Sequence, residues 1–425
     1  MRSLTKVYTI TEYSGFVRGG LSFGNYQSLT KHTFDALESF ILANLSESDT
    51  DVVELLSLSA RRGMGKIITA RNYVGLITMK DGTVIEILPK INGDVSQTDT
   101  KRIFLEMIRT LKSVSFKEFN ISNLKIDHMN LLEVFISLFA SEVAILVKQG
   151  LRSSYNSIED NERFFKGKLN VPQNIKLNYI SKERFFVRYD EWSINRPENR
   201  LLKATLNFLQ KQTGDNGNRY NISRLLTFFE SIHASSDYEA DFSRCTSNRS
   251  LSHYQKALSW CKVFLRGNSF TAFAGSEVAI ALLFPMEKIF ESYIIAKLRR
   301  SVSPDVELRE QDARYSLFDH PTRTFGLRPD IVLTNRNGIT VMDTKWKILS
   351  ENVRNYGISQ GDMYQMYAYG KKYGASKVTL IYPLPGKLIR SDISFFSDDG
   401  VNVEVCFVDL LQPDASIADI VKACS

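Results

Sequence analysis

Residues 328–345 decide the fold of the C-terminal part of the chain and read Arg-Pro-Asp-Ile-Val-Leu-Thr-Asn-Arg-Asn-Gly-Ile-Thr-Val-Met-Asp-Thr-Lys. Two runs rich in β-branched and aliphatic residues, 328–334 and 339–345, flank the tetrapeptide Asn-Arg-Asn-Gly. That tetrapeptide is a strong hairpin turn signal. The stretch therefore predicts two antiparallel strands joined by a tight turn.

Alternation along these strands brings three charged side chains to one face. Residues two apart point the same way, so Asp343 and Lys345 share a face. A two-residue turn at 337–338 pairs Asp330 with Lys345, whereas a four-residue loop over 335–338 pairs Asp330 with Asp343. Both registers keep the three residues together, and a three-residue loop separates them. The opposite face is expected to be apolar, through Ile331, Leu333 and Met342.

Two carboxylates beside an ammonium group suit phosphodiester hydrolysis. Carboxylate oxygens are hard ligands for Mg²⁺, which shares its remaining positions with water and phosphate oxygens. The reaction needs an activated water and neutralisation of charge on the phosphorane-like transition state. We therefore expect Asp330 and Asp343 to bind metal, and Lys345 to orient the water or help deprotonate it. The same three residues would also fit an ordinary hairpin with surface charges.

A helix is predicted on the C-terminal side of the hairpin. Ser359 and Asp362 have the spacing of a capping box, which opens a helix through about Lys372. Gln365 and Tyr369 are four residues apart and share one face of this helix. Packed beside the hairpin, they would aim at the scissile phosphate or at the lysine. The alternative is a solvated helix edge.

Another helix is predicted on the N-terminal side. Pro285 suits a helix start, and apolar residues recur at helical spacing through Arg300. Glu287 and Glu291 flank that apolar stripe, and either side chain could reach the sheet edge as a further metal ligand. The alternative for each is a solvated glutamate.

The order of these elements resembles a known superfamily. A helix with Glu291, strands with Asp330 and with Asp343 and Lys345, and a helix with a Gln-x-x-x-Tyr pair are similar to the PD-(D/E)xK restriction-endonuclease-like proteins. Three N-terminal and central segments, 72–90, 190–203 and 284–291, resemble the McrC family of nuclease subunits from McrBC restriction systems. The resemblance extends from about residue 15 to about residue 410.

The resemblance implies a function and a partner. McrC proteins do not bind GTP, but associate with a hexameric AAA+ GTPase, McrB, and stimulate its GTP hydrolysis. They cut DNA once translocating complexes meet, and the partner recognises methylated cytosine. The resemblance thus implies a Mg²⁺-dependent endodeoxyribonuclease subunit of a modified-cytosine-directed complex, acting in phage defence.

Particular residues follow from the same resemblance. The family's catalytic trio corresponds to Asp330, Asp343 and Lys345, and the superfamily's auxiliary motif corresponds to Gln365 and Tyr369. Glu291 matches a Phe-Glu pair of the family, and a role as metal ligand is inferred for it.

Two functions of other kinds remain open beside this one. The chain could be mainly a non-catalytic module that activates a GTPase, with the nuclease fold as a scaffold. It could also be a self-sufficient PD-(D/E)xK nuclease with other partners.

Composition agrees with a DNA-binding protein of several domains. The chain has 425 residues, 43% of them hydrophobic, and a net charge of +7, which suits a polyanionic partner. Four scattered cysteines suggest neither a zinc site nor disulfides, so we expect a reducing cytoplasm, and the McrC resemblance implies that of a bacterium or archaeon. The sequence contains no run of 18 apolar residues, so we expect no contact with a membrane.

Three regions are predicted along the chain. Residues 1–98 form a β-rich region that docks on the partner, and residues 99–250 form a mainly helical region with a strand pair. Residues 251–425 form the PD-(D/E)xK nuclease domain. The predicted fold is therefore an α+β N-terminal part, β-rich and then helical, followed by a C-terminal α/β restriction-endonuclease-like domain.

The sequence pattern also predicts individual elements. The strands and helices are listed here in chain order: strands at 73–79 and 83–88, a loop over 92–100, a helix from Lys101, a helix at 131–148, paired strands at 166–171 and 184–189, helices at 199–210 and 222–232, and strands at 377–383 and 402–410.

A glycine-rich segment at 63–66 does not predict a nucleotide site. Gly-Met-Gly-Lys lacks the G-x-x-x-x-G-K-[ST] spacing, because residue 60 is alanine and Ile67 replaces the required hydroxyl. We therefore expect no GTP on this chain. The basic segment 61–66 could contact the partner or DNA. The alternative is a solvated loop rich in glycine and arginine.

Overall fold

The computed structural model describes residues 6–45, 55–91, 95–111, 129–246, 249–265, 278–375, 377–386 and 393–423. Contacts within the chain divide it into two compact units. The first unit joins Met1–Leu131 to Gly267–Ser425, and the second unit, Leu132–Arg266, is inserted between these parts. The three regions predicted from the sequence have other limits, at residues 98 and 250, and that division stays a prediction.

Two four-stranded sheets and a helix build the N-terminal part of the first unit. One sheet contains β1 (Val7–Thr11), β6 (Tyr73–Met79), β7 (Val84–Leu88) and β11 (Val278–Pro285), in the order β1-β7-β6-β11. The other contains β2 (Gly15–Arg18), β3 (Tyr26–Leu29), β4 (Leu56–Arg61) and β5 (Gly65–Ala70), in the order β3-β2-β5-β4. Helix α1 (Lys31–Leu45) shares one hydrophobic core with both sheets. The predicted hairpin at 73–79 and 83–88 is confirmed by β6 and β7.

A six-stranded mixed sheet builds the C-terminal part. Its strands are β12 (Glu307–Glu310), β15 (Ile331–Asn335), β16 (Gly338–Thr344), β17 (Lys377–Pro383), β18 (Ser394–Phe396) and β19 (Asn402–Val408). They lie in the order β12-β15-β16-β17-β19-β18, and β16, β17 and β19 run parallel. Strands β13 (Ser316–Phe318) and β14 (Thr324–Gly326) form a separate hairpin. The strands predicted at 377–383 and 402–410 are confirmed, the second ending two residues earlier.

Helices cover the central strands of this sheet. They are α9 (Met286–Ser301), α10 (Gln360–Tyr373) and α11 (Pro413–Lys422). Met366 and Tyr369 of α10 join a buried cluster with Val332 and Val341. The alternate side chains of these strands, such as Met342, are also fully buried. The hairpin, expected to be apolar on one face, is therefore buried on both, because it lies in the middle of a covered sheet.

Helix α2 (Gln97–Ile108) begins earlier than the sequence pattern predicted. The segment 92–100 was expected to be a loop, with a helix from Lys101. The Ser96 hydroxyl accepts a hydrogen bond from the backbone N–H of Asp99 at 3.0 Å, and this cap starts the helix at Gln97. Residues 92–94 of the expected loop lie outside the described residues.

Six helices account for most of the second unit as far as it is described. They are α3 (Leu131–Gln149), which begins at the unit boundary, α4 (Val171–Asn178), α5 (Pro197–Gln212), α6 (Asn216–Thr227), α7 (Tyr238–Thr246) and α8 (Gln255–Leu265). Helices α3 and α5 confirm the predictions at 131–148 and 199–210. Helix α6 differs from the predicted 222–232 at both ends: it begins earlier, because Asp215 caps it by accepting a hydrogen bond from the N–H of Asn218 at 2.8 Å, and it ends earlier, at Thr227.

The sheet of the second unit differs from the predicted strand pair. It contains β8 (Ser154–Glu162), β9 (Lys168–Leu169) and β10 (Phe185–Ser193), in the order β8-β10-β9. The strand predicted at 166–171 is reduced to two residues, because Asn170 caps α4 and Pro172 suits the first turn of a helix. The main partner of β10 is β8, a polar segment that was not predicted as a strand.

The described helices include none that is long and apolar enough to cross a membrane. Cys245 and Cys261 are buried free thiols. Cys424 lies outside the described residues.

Candidate active site

The turn between β15 and β16 sets the pairing of the two strands. Asn335 pairs with Gly338 across a two-residue tip. Gly338 has a φ of +133°, a backbone conformation that favours glycine. Continued past the end of β15, this register sets Asp330 opposite Asp343. It is the second of the two registers that the sequence left open.

Asp330 is held by donors from two neighbouring segments. Its Oδ2 accepts hydrogen bonds from the backbone N–H and from the hydroxyl of Thr344, both at 2.8 Å. Its Oδ1 accepts one from Gln311 Nε2 at 3.1 Å. Burial raises the pKa of Asp330, and the Thr344 hydrogen bonds oppose that rise. The carboxylate is therefore fixed in direction, although burial disfavours its charge.

Asp343 lies buried beside Lys345. Its Oδ2 is 2.7 Å from Lys345 Nζ, and 3% of the residue is exposed. Burial raises the pKa of Asp343 to about 6, the negative charge of Asp330 adds to the rise, and Lys345 opposes it. Two facing carboxylates thus share one nearby ammonium group.

Helix α10 directs the lysine. Gln365 Oε1 accepts a hydrogen bond from Lys345 Nζ at 3.2 Å, and Gln365 Nε2 donates to the hydroxyl of Tyr369 at 2.7 Å. Asp362, which also closes the capping box, has its Oδ1 3.6 Å from the same ammonium. Burial lowers the pKa of Lys345, but Asp343 and then Asp362 outweigh it, so the net pKa is raised. The ammonium group therefore stays protonated at neutral pH.

Glu291 reaches the site from α9. Its Oε1 accepts a hydrogen bond from Gln311 Nε2, the same nitrogen that donates to Asp330. Burial raises the pKa of Glu291 to about 7, and the charge of Asp330 adds to the rise. Glu287, the other glutamate considered on this helix, is exposed and accepts a hydrogen bond from Asn72 at 3.4 Å.

Six predicted site residues are thus connected through short contacts. One set links Glu291 to Asp330 through Gln311, and the other links Asp343 to Tyr369 through Lys345 and Gln365. Among the residues that the structure describes, no three carboxylate, imidazole or thiol groups converge as metal ligands. The carboxylates instead point at the protein's own donors, so a bound cation requires a rearrangement of side chains.

Sequence reasoning missed three residues of this site. Gln311 follows a short strand and carries no motif, while Thr344 lies inside the Asp-Thr-Lys stretch without having been assigned a role. Asp362 was identified only as a helix cap. The signal for Thr344 was its position between Asp343 and Lys345, but a hydrogen bond to Asp330 depends on the register.

The buried carboxyl group of Glu12 binds the residue that follows Lys345. Trp346, next to Lys345, donates from Nε1 to Glu12 Oε2 at 2.9 Å, and the N–H of Lys90 donates to the same oxygen at 2.9 Å. Phe290, next to Glu291, packs on Trp346 with ring centroids 5.4 Å apart. The residues after β1 and β7 are therefore linked to the segment that follows β16, and Trp346 in turn packs on α9.

Glu12 predicts a pH dependence of stability. Burial raises its pKa from 4.5 to about 7. A carboxyl group that binds its proton more tightly in the folded protein than in the unfolded chain contributes most to stability below pH 4.5. That contribution is lost as the pH rises to about 7. We expect the free energy of unfolding to fall by roughly 1–3 kcal/mol over this window from Glu12.

Denaturant unfolding at several pH values tests this expectation. Glu12→Gln should flatten the profile between pH 4.5 and 7, because the amide does not titrate. Glu291 and Asp343 contribute slopes of the same sign in both proteins, so the difference isolates Glu12. Superimposable profiles of the variant and the wild type would contradict the account of Glu12.

Fold and site together define a class of protein. The chain is a mixed α/β protein whose C-terminal sheet carries facing aspartates beside a lysine. The family model described as McrBC 5-methylcytosine restriction system component matches residues 68–383. The chain belongs to this McrBC family, and the resemblance drawn from the sequence is confirmed.

Two solved structures from Thermococcus gammatolerans are similar in fold. One is a refined half-complex from a tetradecameric assembly of McrB AAA+ hexamers with bound McrC; the TM-score is 0.75 at 20% identity, covering 99% of this chain and 100% of that chain. The other is a cryo-EM structure of the McrBC complex, with a TM-score of 0.55 at 22% identity, covering 72% and 90%. No curated protein matches the chain.

Proposed function

We propose that this chain is the DNA-cleaving subunit of a GTP-dependent restriction complex directed to modified cytosine. In this proposal it is a Mg²⁺-dependent endodeoxyribonuclease. The observation that carries the proposal is the placement of Asp330 opposite Asp343, with Lys345 Nζ 2.7 Å from Asp343 Oδ2. Membership of the McrBC family supports the restriction role.

Asp330, Asp343 and Glu291 are the proposed metal ligands, and their surroundings fit a cation. Burial raises the pKa of all three carboxyl groups, so positive charge among them would stabilise their ionised forms. Carboxylate oxygens suit Mg²⁺ better than a soft metal. When bound there, Mg²⁺ would polarise the scissile phosphate and acidify a water molecule.

Lys345 is proposed to orient the attacking water and to offset negative charge on the reacting phosphate. Its raised pKa keeps it protonated, so it donates hydrogen bonds and does not remove a proton. That favours orientation over deprotonation, the other role considered for it. Gln365 and Tyr369 are proposed to act through the lysine, since their hydrogen bonds hold its ammonium in one direction.

A basic groove along α9 supports DNA as the substrate. The groove has a volume of about 840 Å³ and extends from Glu291 and Gln311 to the C-terminal end of the helix. Its basic lining residues are Arg109, Lys288, Lys297, Arg299, Arg300 and Arg328. Lysine and arginine neutralise the phosphates of the DNA backbone and release counterions. The groove would therefore hold the part of the DNA strand that adjoins the scissile phosphate.

The partner in this proposal is a McrB-like AAA+ GTPase hexamer. The first of the related structures contains McrB AAA+ hexamers with bound McrC, which supports a partner of the same kind here. The β-rich region 1–98 is the proposed docking surface, and the chain would stimulate GTP hydrolysis by the partner. Recognition of the modified base is assigned to the partner, and the complex would act in phage defence in a bacterial or archaeal cytoplasm.

Nucleotide is proposed to bind to the partner alone. Gly63 lies in the turn between β4 and β5, and Lys66 forms an ion pair with Glu38 at 2.6 Å. A phosphate loop instead joins a strand to a helix and points its lysine at the phosphates. The local structure at 61–66 therefore argues against GTP on this chain.

A reconstitution experiment tests the proposed function. The purified chain is combined with a McrB-type GTPase, GTP, Mg²⁺ and plasmid DNA that contains 5-methylcytosine. We expect faster GTP hydrolysis and DNA cleavage in the complete mixture, and no cleavage when the GTPase or Mg²⁺ is left out. Faster hydrolysis without cleavage would indicate a non-catalytic module, and cleavage without the GTPase would indicate a self-sufficient nuclease.

A further inference from the structure

Gln311 has a strained backbone beside the candidate active site. It follows β12 directly, and its φ of +48° lies in the left-handed region, which favours glycine over residues with a side chain. Its backbone N–H donates to the carbonyl oxygen of Asp330 at 2.9 Å. Strain of this kind persists only where the surrounding contacts impose it, and it occurs often at functional sites.

The carboxamide of Gln311 lies between two acidic groups. Its Nε2 donates to Asp330 Oδ1 at 3.1 Å and to Glu291 Oε1. An amide nitrogen has two N–H donors, so both are given to carboxylates. A nitrogen within hydrogen-bond reach of both oxygens occupies the space where a cation shared by them would bind. Burial and Asp330 raise the pKa of Glu291, and the Gln311 hydrogen bond lowers it.

We propose that Gln311 is a positioning residue that stands in for the cation: its amide holds Glu291 and Asp330 together until a divalent cation displaces it. The inference rests on the proposed metal site. Two consequences follow, with opposite signs. Gln311 stabilises the cation-free protein, because its donors offset the repulsion of the carboxylates, and it weakens cation binding, because those hydrogen bonds must break first.

Mn²⁺ binding to the metal-free protein tests the proposal without DNA or catalysis. Calorimetric titration at pH 8, where the carboxyl groups are ionised, is compared for the wild type and Gln311→Ala. We expect the variant to bind Mn²⁺ about tenfold more tightly, since two charge-assisted hydrogen bonds no longer compete. The metal-free variant should also unfold at a lower temperature. Unchanged or weaker Mn²⁺ binding would overturn the proposal, and weaker binding would indicate that Gln311 is itself a ligand.

Two further variants separate the possible causes. Gln311→Gly also removes the amide but relieves the left-handed strain, so it should bind Mn²⁺ as tightly as Gln311→Ala with a smaller loss of thermal stability. Asp343→Ala identifies the site at which Mn²⁺ binds. If the Asp343→Ala variant binds Mn²⁺ as tightly as the wild type does, the proposed metal site itself is contradicted. Binding that Asp343→Ala removes and Gln311→Ala leaves unchanged overturns only the role of Gln311.

Discussion

Replacing Asp343 by alanine is expected to lower the rate of DNA cleavage by about 10³-fold or more, because it removes a metal ligand and the anion that positions Lys345. Its Oδ2 is 2.7 Å from the lysine ammonium, and among the described residues the next carboxylate oxygen, from Asp362, is 3.6 Å away. The variant should fold, since the loss of one of two facing carboxylates relieves repulsion with Asp330. The measurement is single-turnover cleavage of a methylated plasmid with the GTPase partner, GTP and Mg²⁺.

GTP hydrolysis in the same mixture is the internal reference for Asp343→Ala. It should remain stimulated, because the partner is proposed to bind the region 1–98. Asp399→Ala is a matched control, since Asp399 is an exposed aspartate whose carboxylate is 2.8 Å from Lys371. We expect the control to cleave at the wild-type rate. Wild-type cleavage by Asp343→Ala would refute the assignment of the site.

Lys345→Met is expected to lower cleavage by about 10²- to 10³-fold, the usual cost of losing one group that stabilises transition-state charge. Methionine keeps most of the aliphatic stem but removes the ammonium. In the metal-free protein the pKa of Asp343, about 6 in the wild type, should rise further because Lys345 opposes that rise. Since Mg²⁺ competes with the proton for this carboxylate, the remaining activity should move to higher pH.

The pH profile of single-turnover cleavage distinguishes this role from a general loss of structure. Lys372→Met provides the control, because Lys372 is on the same helix as Gln365 and pairs with Asp319 at 2.9 Å. The control should keep both the rate and the pH profile. A Lys345→Met variant within threefold of the wild-type rate, or one with an unshifted profile, would contradict the role given to the lysine.

Local sequence signals predicted the elements that carry the site. The turn at 335–338 and the capping pair of Ser359 and Asp362 act within a few residues, so the hairpin and α10 were found close to their observed bounds. The register stayed open between two choices, because turn geometry depends on backbone angles that the residue types do not determine. The polar strand β8 was missed, since its sequence, Ser-Tyr-Asn-Ser-Ile-Glu-Asp-Asn-Glu, lacks the alternation of apolar and polar residues that identifies a strand.

Contacts between distant segments were beyond reach of the sequence pattern. Gln311 joins Glu291 and Asp330 only after β12 pairs with β15, and Trp346 meets Glu12 across 334 residues of sequence. Neither glutamine nor tryptophan carries a motif at these positions. The charged residues of a site can thus be identified from their types and spacing, while the groups that orient them depend on tertiary structure.

Anomalous diffraction from a crystal of the chain grown with Mn²⁺ tests the central claim most directly. We predict a peak within coordination distance of Asp330 and Asp343, with Glu291 turned toward it and the Gln311 amide moved aside. The same crystal form of Asp343→Ala should lack the peak. A wild-type crystal saturated with Mn²⁺ that shows no peak between the two aspartates would contradict the proposed metal-dependent nuclease site.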